Sequence, residues 1–331
     1  MKLTLKAILG LLVAVSFTAC EDEEATQPVA QVSVDKLLYN TNESMVVKFI
    51  GDAENVVLYP GDKDHDYELR EQSNTGLIVN KGTISYAYQQ PGTFKAVCVA
   101  TNHCDEGQSI KTDTCSFYVR VIDDVHEFTS LSAATVLYDE VYAQEVNETD
   151  YMLKIPRYVK NKTKHNLPVK LTAQKLNISV ASDSTKIYID GNEYSANKNY
   201  NITKPVEIKL VSYEGTEGNY TLYAVNYGEF KTFTLAGTKY KYTNYTRLDD
   251  QYGYAEFNFT VPAGTDVTAL VPEFELYDSE NDKVYVDGVE QVSGETAQDF
   301  TNPVTYTFVS NHADNADIKV ESTVVVSVTV E

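Results

Sequence analysis

The stretch KVYVDG, residues 283–288, occurs a second time as KIYIDG, residues 186–191. In both copies Tyr and β-branched residues form a short run that ends at Asp-Gly. Successive side chains of a strand point to opposite faces of a sheet, and Gly adopts the positive φ that a tight turn requires. Each copy therefore predicts a strand that ends in a hairpin turn.

Two further pairs of segments repeat in the same order along the chain. Residues 127–135 (EFTSLSAAT) correspond to residues 229–238 (EFKTFTLAGT), and residues 200–212 (YNITKPVEIKLVS) correspond to residues 299–310 (DFTNPVTYTFVS). The members of every pair lie about 100 residues apart, which predicts a duplicated domain of the size common for an immunoglobulin-like sandwich.

The rest of the chain has the same strand-like character. Short runs rich in Val, Ile, Thr, Tyr and Phe are separated by Gly, Pro, Asn and Asp clusters, and almost no segment has a helical period. The pattern predicts an all-β protein of tandem immunoglobulin-like β-sandwiches. We place three domains at residues 31–122, 123–228 and 229–331, preceded by a signal peptide (1–19) and a tether (20–30).

The N-terminal residues predict export. Lys2 and Lys6 precede an apolar run that is too short to span a bilayer and that stops at Cys20. The junction FTAC resembles the lipobox of bacterial lipoproteins. This resemblance implies cleavage before Cys20 and attachment of acyl chains that hold the protein at a membrane. The alternative is an ordinary secretory signal peptide followed by a chance cysteine.

An acidic cluster follows Cys20 at once: Glu21, Asp22, Glu23 and Glu24. It has no apolar periodicity and predicts a disordered tether. The cluster also resembles the signal that directs Bacteroidota lipoproteins to the outside of the outer membrane. That resemblance implies a lipid-anchored protein of the outer membrane that faces the cell exterior, whereas a generic solvated linker is the alternative.

Charge and motifs argue against several classes of function. The net charge of −21 opposes nucleic acid as a partner, because nucleic acids bind basic patches. The five histidines are scattered, and no hydrolase, metalloprotease or phosphate-loop motif occurs. The sequence therefore predicts a protein without enzymatic activity and without a cofactor.

Three cysteines remain after Cys20. Cys104 and Cys115 flank the polar loop DEGQSIKTDT, so we predict a disulfide between them, and Cys98 lies in an apolar strand pattern that predicts a buried thiol.

The segment YQQPGTFKAVCVATN, residues 88–102, resembles the PKD family, an immunoglobulin-like fold. Its signature is Tyr-x-x-Pro-Gly-x-aromatic followed by an alternating strand, and the matching residues here are Tyr88, Pro91, Gly92, Phe94 and Asn102. The usual Trp-x-Phe-Gly-Asp-Gly element is replaced by FIGDAENVVLYPGD. The two later domains resemble modules of Bacteroidota surface lipoproteins that are often encoded beside outer-membrane glycan importers, an association that fold alone does not establish.

Alternating carboxylates offer a candidate calcium site. Asp62, Asp64, Asp66 and Glu68 occupy every second position of GDKDHDYELRE, and oxygen ligands from one loop suit Ca²⁺. Tyr67 stands where an EF-hand has glycine. If the segment is extended, alternation instead places the four carboxylates on one solvent-facing side, which is the interpretation we favour.

Tyrosines give the strongest indication of a binding site. A hairpin that turns near Arg247 would set Tyr240 opposite Tyr254 and Tyr242 opposite Tyr252, while Ala255, Phe257, Phe259 and Val261 face the core. Exposed tyrosines stack on sugar rings. A shift of one residue would send Tyr240 and Tyr242 into the core, and ordinary cross-strand packing is the alternative to a binding platform.

A short pattern, Asp183-Ser184-Thr185, resembles Bacteroidota O-glycosylation sites, with Ser184 as the acceptor.

We therefore expect a non-catalytic, surface-exposed lipoprotein that binds an extracellular ligand, namely a glycan, as an accessory of an outer-membrane transporter. The alternative is a structural, adhesin or assembly component whose sheet edges contact other proteins.

Overall fold

The computed structural model describes residues 24–104, 109–134, 140–160, 166–241 and 253–331. The chain divides into two compact units between Ile122 and Asp123. The boundary coincides with the end of the first predicted domain. Within the described ranges, helix is confined to the 3-10 turns Tyr67–Leu69 and Asn80–Gly82, and no helix is long and apolar enough to cross a membrane.

The first unit is a sandwich of two sheets. Its strands are β1 (Val32–Val34), β2 (Leu38–Asn40), β3 (Ser44–Phe49), β4 (Asn55–Tyr59), β5 (Leu77–Ile78), β6 (Thr83–Ala87), β7 (Gly92–Cys104) and β8 (Ser109–Ile122). One sheet has the order β1-β3-β6 and the other has the order β2-β8-β7-β4-β5, with β2 parallel to β8.

The residues of the PKD resemblance lie at the centre of this unit. Tyr88 is buried, its hydroxyl donates to the Pro60 carbonyl at 2.9 Å, and its ring stacks on Phe94 with centroids 4.7 Å apart. The side chain of Asn102 accepts a hydrogen bond from the Glu54 amide and donates to Thr26. These contacts join the sheet ends to the segment that enters the domain.

The prediction of a disordered tether through residue 30 is wrong for its last part. Ala25 is buried and its amide donates to Ser109 Oγ, while Val29 forms a β-bridge with Asp52. Pro28 is also buried, and the Ala30 amide donates to Asp113, so the ordered domain begins before residue 31.

The second unit contains both sequence repeats. Repeat 1 comprises β9 (Phe128–Ala134), β10 (Glu140–Tyr142), β11 (Gln144–Glu145), β12 (Asp150–Ile155), β13 (Tyr158–Lys160), β14 (Asn166–Pro168), β15 (Lys175–Val180), β16 (Lys186–Ile189), β17 (Asn192–Glu193), β18 (Val206–Val211) and β19 (Glu217–Asn226). Repeat 2 comprises β20 (Phe230–Leu235), β21 (Thr238–Lys241), β22 (Tyr254–Val261), β23 (Glu273–Leu276), β24 (Asp282–Val286), β25 (Val289–Glu290), β26 (Val304–His312) and β27 (Asn315–Val330).

Apart from the extra edge strand β11 in repeat 1, the two repeats have the same strand order, which confirms the duplication. Repeat 1 has the sheets β10-β9-β15 and β11-β12-β19-β18-β16-β17, and repeat 2 has β21-β20-β23 and β22-β27-β26-β24-β25. In each repeat one strand near the start pairs in parallel with the last strand, β12 with β19 and β22 with β27. Repeat 1 carries the additional hairpin β13–β14. The protein is therefore an all-β chain of immunoglobulin-like sandwiches.

The repeated Asp-Gly pairs form the predicted turns. Asp190 and Gly191 have φ of 47° and 75°, and Asp287 and Gly288 have φ of 49° and 78°. Positive φ at both central residues defines a type I′ turn, which matches the twist of the strands it joins. These turns connect β16 to β17 and β24 to β25.

Candidate functional site

The predicted lipidation and export residues fall at the edge of the described chain. Cys20, Glu21, Asp22 and Glu23 lie outside the described residues. Glu24 is exposed and accepts a hydrogen bond from Lys111 Nζ at 2.9 Å, and this contact lowers the pKa of the Glu24 carboxyl. The fourth acidic residue of the cluster therefore lies on the surface of the first unit.

The described strands β21 and β22 do not pair with each other as the predicted tyrosine hairpin requires. β21 pairs with β20, so Tyr240 lies opposite Phe233, and β22 belongs to the other sheet. The Tyr240 ring packs on Phe257 and Phe259, with centroids 4.9 and 5.1 Å away, and burial raises the pKa of its hydroxyl. Tyr240 thus fills the core between the two sheets and cannot form a platform with Tyr254.

The face assignment of β22 is confirmed. Ala255, Phe257, Phe259 and Val261 are all buried in the core of repeat 2. Tyr254 lies on the opposite face, half-buried, and its hydroxyl donates to Glu256 at 2.9 Å. Tyr242 and Tyr252 lie outside the described residues. The ligand-binding prediction for this tyrosine set therefore loses its geometric basis.

The residues of the candidate calcium site are not brought together, and the extended alternative is wrong. Residues 61–69 form turns and a short 3-10 helix, with Asp64 at φ 70°. Asp62 accepts from the Tyr86 hydroxyl at 2.6 Å, Asp66 caps the 3-10 helix through the Glu68 amide, and Glu68 pairs with Lys95. In the described ranges no group of three or more His, Cys, Asp or Glu residues is arranged to hold a metal ion.

The strand register does not bring the predicted disulfide partners together. Cys104 lies opposite Ser109, whereas Cys115 lies opposite Cys98, and all three thiols are free. Ser184, the predicted glycosylation acceptor, lies half-buried between Ser182 and Thr185, both of which make hydrogen bonds to residues 123–125. Its modification stays a prediction.

A groove in repeat 2 combines a sizeable cavity with polar side chains on its walls. It opens where β23, an edge strand of one sheet, meets β24 and β25 at the edge of the other, and its volume is about 560 Å³. A second cavity of about 360 Å³ shares Phe274, Glu275 and Ser293 with it and extends toward β20 and β21. We call the two together the repeat-2 groove.

Apolar side chains form the floor of the repeat-2 groove. Phe274 is half-buried and rests on Phe230 and Phe233, with ring centroids 5.1 and 6.3 Å away. Leu276 and the buried Val284 continue the floor, and Val292 remains 47% exposed beside them. The floor thus offers apolar surface that is supported from below by the core.

Hydrogen bonds fix one wall of the groove. The Phe274 amide donates to Ser293 Oγ at 2.7 Å, and the Gly294 amide donates to the Pro272 carbonyl at 2.9 Å. Gln291 is 6% exposed; it donates to the Val289 carbonyl and accepts from Gln298. Since these bonds tie the segment after β25 to β23, the groove is preformed.

The charged rim of the groove is balanced. Lys231 pairs with Glu275 at 3.6 Å, and Lys283 pairs with Glu290 at 3.3 Å, all four side chains being more than half exposed. Exposed pairs contribute little to stability and remain available for hydrogen bonds to a ligand. An apolar floor with neutralised, hydroxyl-bearing walls suits an uncharged polyhydroxyl ligand better than an ionic one.

A smaller polar cleft of about 120 Å³ lies where repeat 1 meets repeat 2. Arg157, which follows β12, donates to Asp282 at 3.0 Å and to the Tyr227 carbonyl at 3.0 Å. The Asp282 side chain is 2% exposed, and burial raises the pKa of its carboxyl, opposed in part by Ser310 and Arg157. His312 also lines this cleft, and burial lowers the pKa of its imidazole. The contacts of Arg157 in this cleft tie the segment after β12 to Asp282 and to the Tyr227 carbonyl, so the cleft acts as a structural junction.

One protein family matches part of the chain. The family described as "SGBP, N-terminal" matches residues 254–326, from the start of β22 into β27, and this segment includes most of the residues that line the repeat-2 groove. A search of curated proteins found no match.

Several solved structures align with the chain at low similarity. "Sidekick-1 immunoglobulin domains 1-5" aligns over 93% of this chain, which spans 60% of that protein, with 10% identity and a TM-score of 0.21. A carbohydrate-binding module of the β-sandwich superfamily aligns over 61% of this chain and 86% of its own length, with 12% identity and a TM-score of 0.23. The Bacteroides ovatus mixed-linkage glucan utilization locus SGBP-B, in complex with a mixed-linkage heptasaccharide, aligns over 93% of this chain and 70% of its own, with 14% identity and a TM-score of 0.19. TM-scores this low carry no argument, so the fold assignment rests on strand order.

Proposed function

We propose that this protein is a non-catalytic glycan-binding protein of the cell surface, and that the repeat-2 groove holds a neutral glycan segment. The observation that carries the proposal is the position of the groove. Most of its lining residues lie within residues 254–326, which match a family whose abbreviation stands for surface glycan-binding protein. The preformed apolar floor and the hydroxyl and amide groups of its wall support the same ligand class.

The charge of the chain indicates which class of glycan the protein binds. At a net charge of −21 the protein repels polyanions over long range at low salt, and the rim of the groove carries as many positive as negative partners. We therefore infer a neutral polysaccharide rather than a uronate-rich or sulfated one.

The cellular setting completes the proposal. The resemblance of FTAC to a lipobox supports lipidation at Cys20, and the acidic residues after it support display on the outside of the outer membrane. In that position the protein would present its glycan site to the exterior as an accessory of an outer-membrane transporter.

Binding to a panel of neutral and anionic polysaccharides, measured by affinity electrophoresis, tests the proposal. The wild-type protein should be retarded by at least one neutral polysaccharide. The Val292→Asp variant should bind about tenfold more weakly, a loss of about 1.4 kcal/mol, because a charge on the apolar floor must be desolvated when the ligand binds.

Val271→Asp is the matched control. Val271 is 42% exposed in the same repeat and does not line the groove, so this variant carries the same new charge at a similar exposure. Equal retardation of both variants would place the ligand elsewhere, and a lack of retardation by every polysaccharide would refute glycan binding.

A second candidate function is that of a structural or assembly component. The Arg157–Asp282 pair and the apolar cluster of Met152, Val225, Ile318 and Val320 join the two repeats, and a fixed pair of sandwiches suits a spacer. This function predicts cross-linking to a protein partner and no retention by glycans.

A further inference from the structure

Cys98 and Cys115 lie directly opposite each other on the β7–β8 hairpin. Residues opposite each other in an antiparallel pair have Cα atoms about 4.5–5.5 Å apart and side chains on the same face. A disulfide requires Cα atoms about 4.4–6.8 Å apart. The backbone therefore already holds the two cysteines at a separation that a disulfide can bridge.

Both thiols point toward the core of the first unit. Cys98 is fully buried, and Cys115 is half-buried against the same apolar cluster. Burial raises the pKa of the Cys98 thiol to about 12, with Cys115 as the next cause, and burial raises the pKa of Cys115 as well. Cys104, near the end of the hairpin, faces Ser109 and has no cysteine opposite it.

We propose that Cys98 and Cys115 form a cross-strand disulfide when the protein meets a small disulfide oxidant. The half-exposed Cys115 attacks oxidised glutathione as a thiolate, which breaks the glutathione S–S bond and releases one glutathione thiol. The Cys98 thiolate then attacks the mixed disulfide at the Cys115 sulfur and releases the second. The two thiol protons and two electrons of the protein end on the two glutathione molecules, and one S–S bond replaces another.

The buried position of Cys98 sets the expected kinetics. The thiolate is the attacking species, so a raised pKa makes the second step slow at neutral pH and faster in alkaline solution. The cross-link should also raise the urea midpoint of the first unit, because it restricts the unfolded chain.

Peptide mapping under non-reducing conditions tests the proposal. The purified protein is incubated with oxidised glutathione, quenched with acid, alkylated and digested with trypsin. Cleavage after Lys95, Lys111 and Arg120 leaves Cys98 and Cys104 on one peptide and Cys115 on the next. We expect the two peptides to be linked, with the alkyl group located on Cys104 by fragment-ion sequencing.

Two variants complete the test. Cys104→Ser should retain the link, and Cys115→Ser should lose both the link and the dependence of the urea midpoint on reductant. The proposal is overturned if the alkyl group lies on Cys98, or if Cys98 and Cys115 are both alkylated after prolonged oxidation at alkaline pH. Should Cys115→Ser fail to fold, the mapping of the wild-type and Cys104→Ser proteins still decides, since it identifies the linked residues directly.

Discussion

Asp282 is a buried carboxylate that requires a positively charged neighbour. Its carboxylate is 2% exposed and lies 3.0 Å from the guanidinium of Arg157, which is itself 16% exposed. A buried ion pair adds little net stability, because desolvation offsets the attraction, but removal of one partner leaves an uncompensated buried charge. Arg157 therefore serves mainly to make the burial of Asp282 tolerable.

Replacement of Arg157 should expose this dependence. We expect Arg157→Met to lower the free energy of unfolding by about 3–5 kcal/mol at neutral pH, because Asp282 stays buried without its counter-charge. Urea denaturation monitored by circular dichroism measures the change. The double variant Arg157→Met, Asp282→Leu should recover most of the loss, since an apolar pair leaves no buried charge.

The pH dependence of the same variant has a defined sign. The pKa of Asp282 is raised by burial, so the folded state binds its proton more tightly than the unfolded state does. The contribution of this group to stability therefore falls as pH rises through its folded pKa. The deficit of Arg157→Met relative to wild type should shrink as the pH is lowered toward that pKa. A deficit that is the same at all pH values would mean that Asp282 is not the cause.

At the scale of the single element, β22 shows what sequence can and cannot predict. The two-residue period fixed which side chains face the core, because it depends only on local strand geometry. The partner of the strand was missed, because β22 pairs in parallel with β27, which lies far along the chain. The composition of KYKYTNYTRLDDQYGY suits a local hairpin. The observed pairing of β21 with β20 and of β22 with β27 excludes that hairpin for Tyr240 and Tyr254.

The repeat-2 groove was missed for a related reason. Its floor and walls come from β23 in one sheet and β24–β25 in the other, and these side chains share no motif or spacing. The extended interpretation of residues 62–68 was wrong because the chain turns after Pro60, which removes the alternation of the acidic residues. Local pattern therefore predicted the fold class and the repeat, whereas the candidate site depends on which strand edges meet in space.

The Asp-Gly turns allow the contribution of a single turn to stability to be tested. An added Cβ at Gly288 meets no atom within 4 Å, so Gly288→Ala creates no clash and changes only the backbone preference. We expect a loss of about 1–2 kcal/mol in the free energy of unfolding, because φ is 78° there and L-residues disfavour that region. Gly191→Ala in the matching turn should cost a similar amount.

Asp287→Asn controls for the turn itself. Asn tolerates positive φ, so this variant should lie within about 0.5 kcal/mol of the wild type. Thermal unfolding of the four proteins measures the differences. If Gly288→Ala were as stable as Asp287→Asn, the left-handed conformation would not be what requires glycine at this turn.

At the scale of the whole molecule, the repeats of the second unit are joined by both polar and apolar contacts. Met152 and Val225 of repeat 1 form one buried cluster with Ile318 and Val320 of repeat 2, and β19 contacts β26 and β27. The Arg157 side chain links the repeat-1 segment after β12 to Asp282 and to the linker carbonyl of Tyr227. The two sandwiches should therefore unfold as one cooperative body.

Ile318→Ala should uncouple them. Ile318 is 2% exposed at the junction, and its truncation should cost about 2–5 kcal/mol, lost from the contact between repeats. Hydrogen exchange read by mass spectrometry across a urea series follows peptides from β18 and β26 separately. In the wild type both peptides should lose protection at the same urea concentration. In Ile318→Ala the two peptides should lose protection at different urea concentrations.

Ile202→Ala is the control, because it removes the same atoms from the internal core of repeat 1. It should lower the urea midpoint of unfolding without splitting it into two. If Ile318→Ala shifts both peptides equally, the junction does not couple the repeats, and a fixed two-sandwich spacer loses its structural basis.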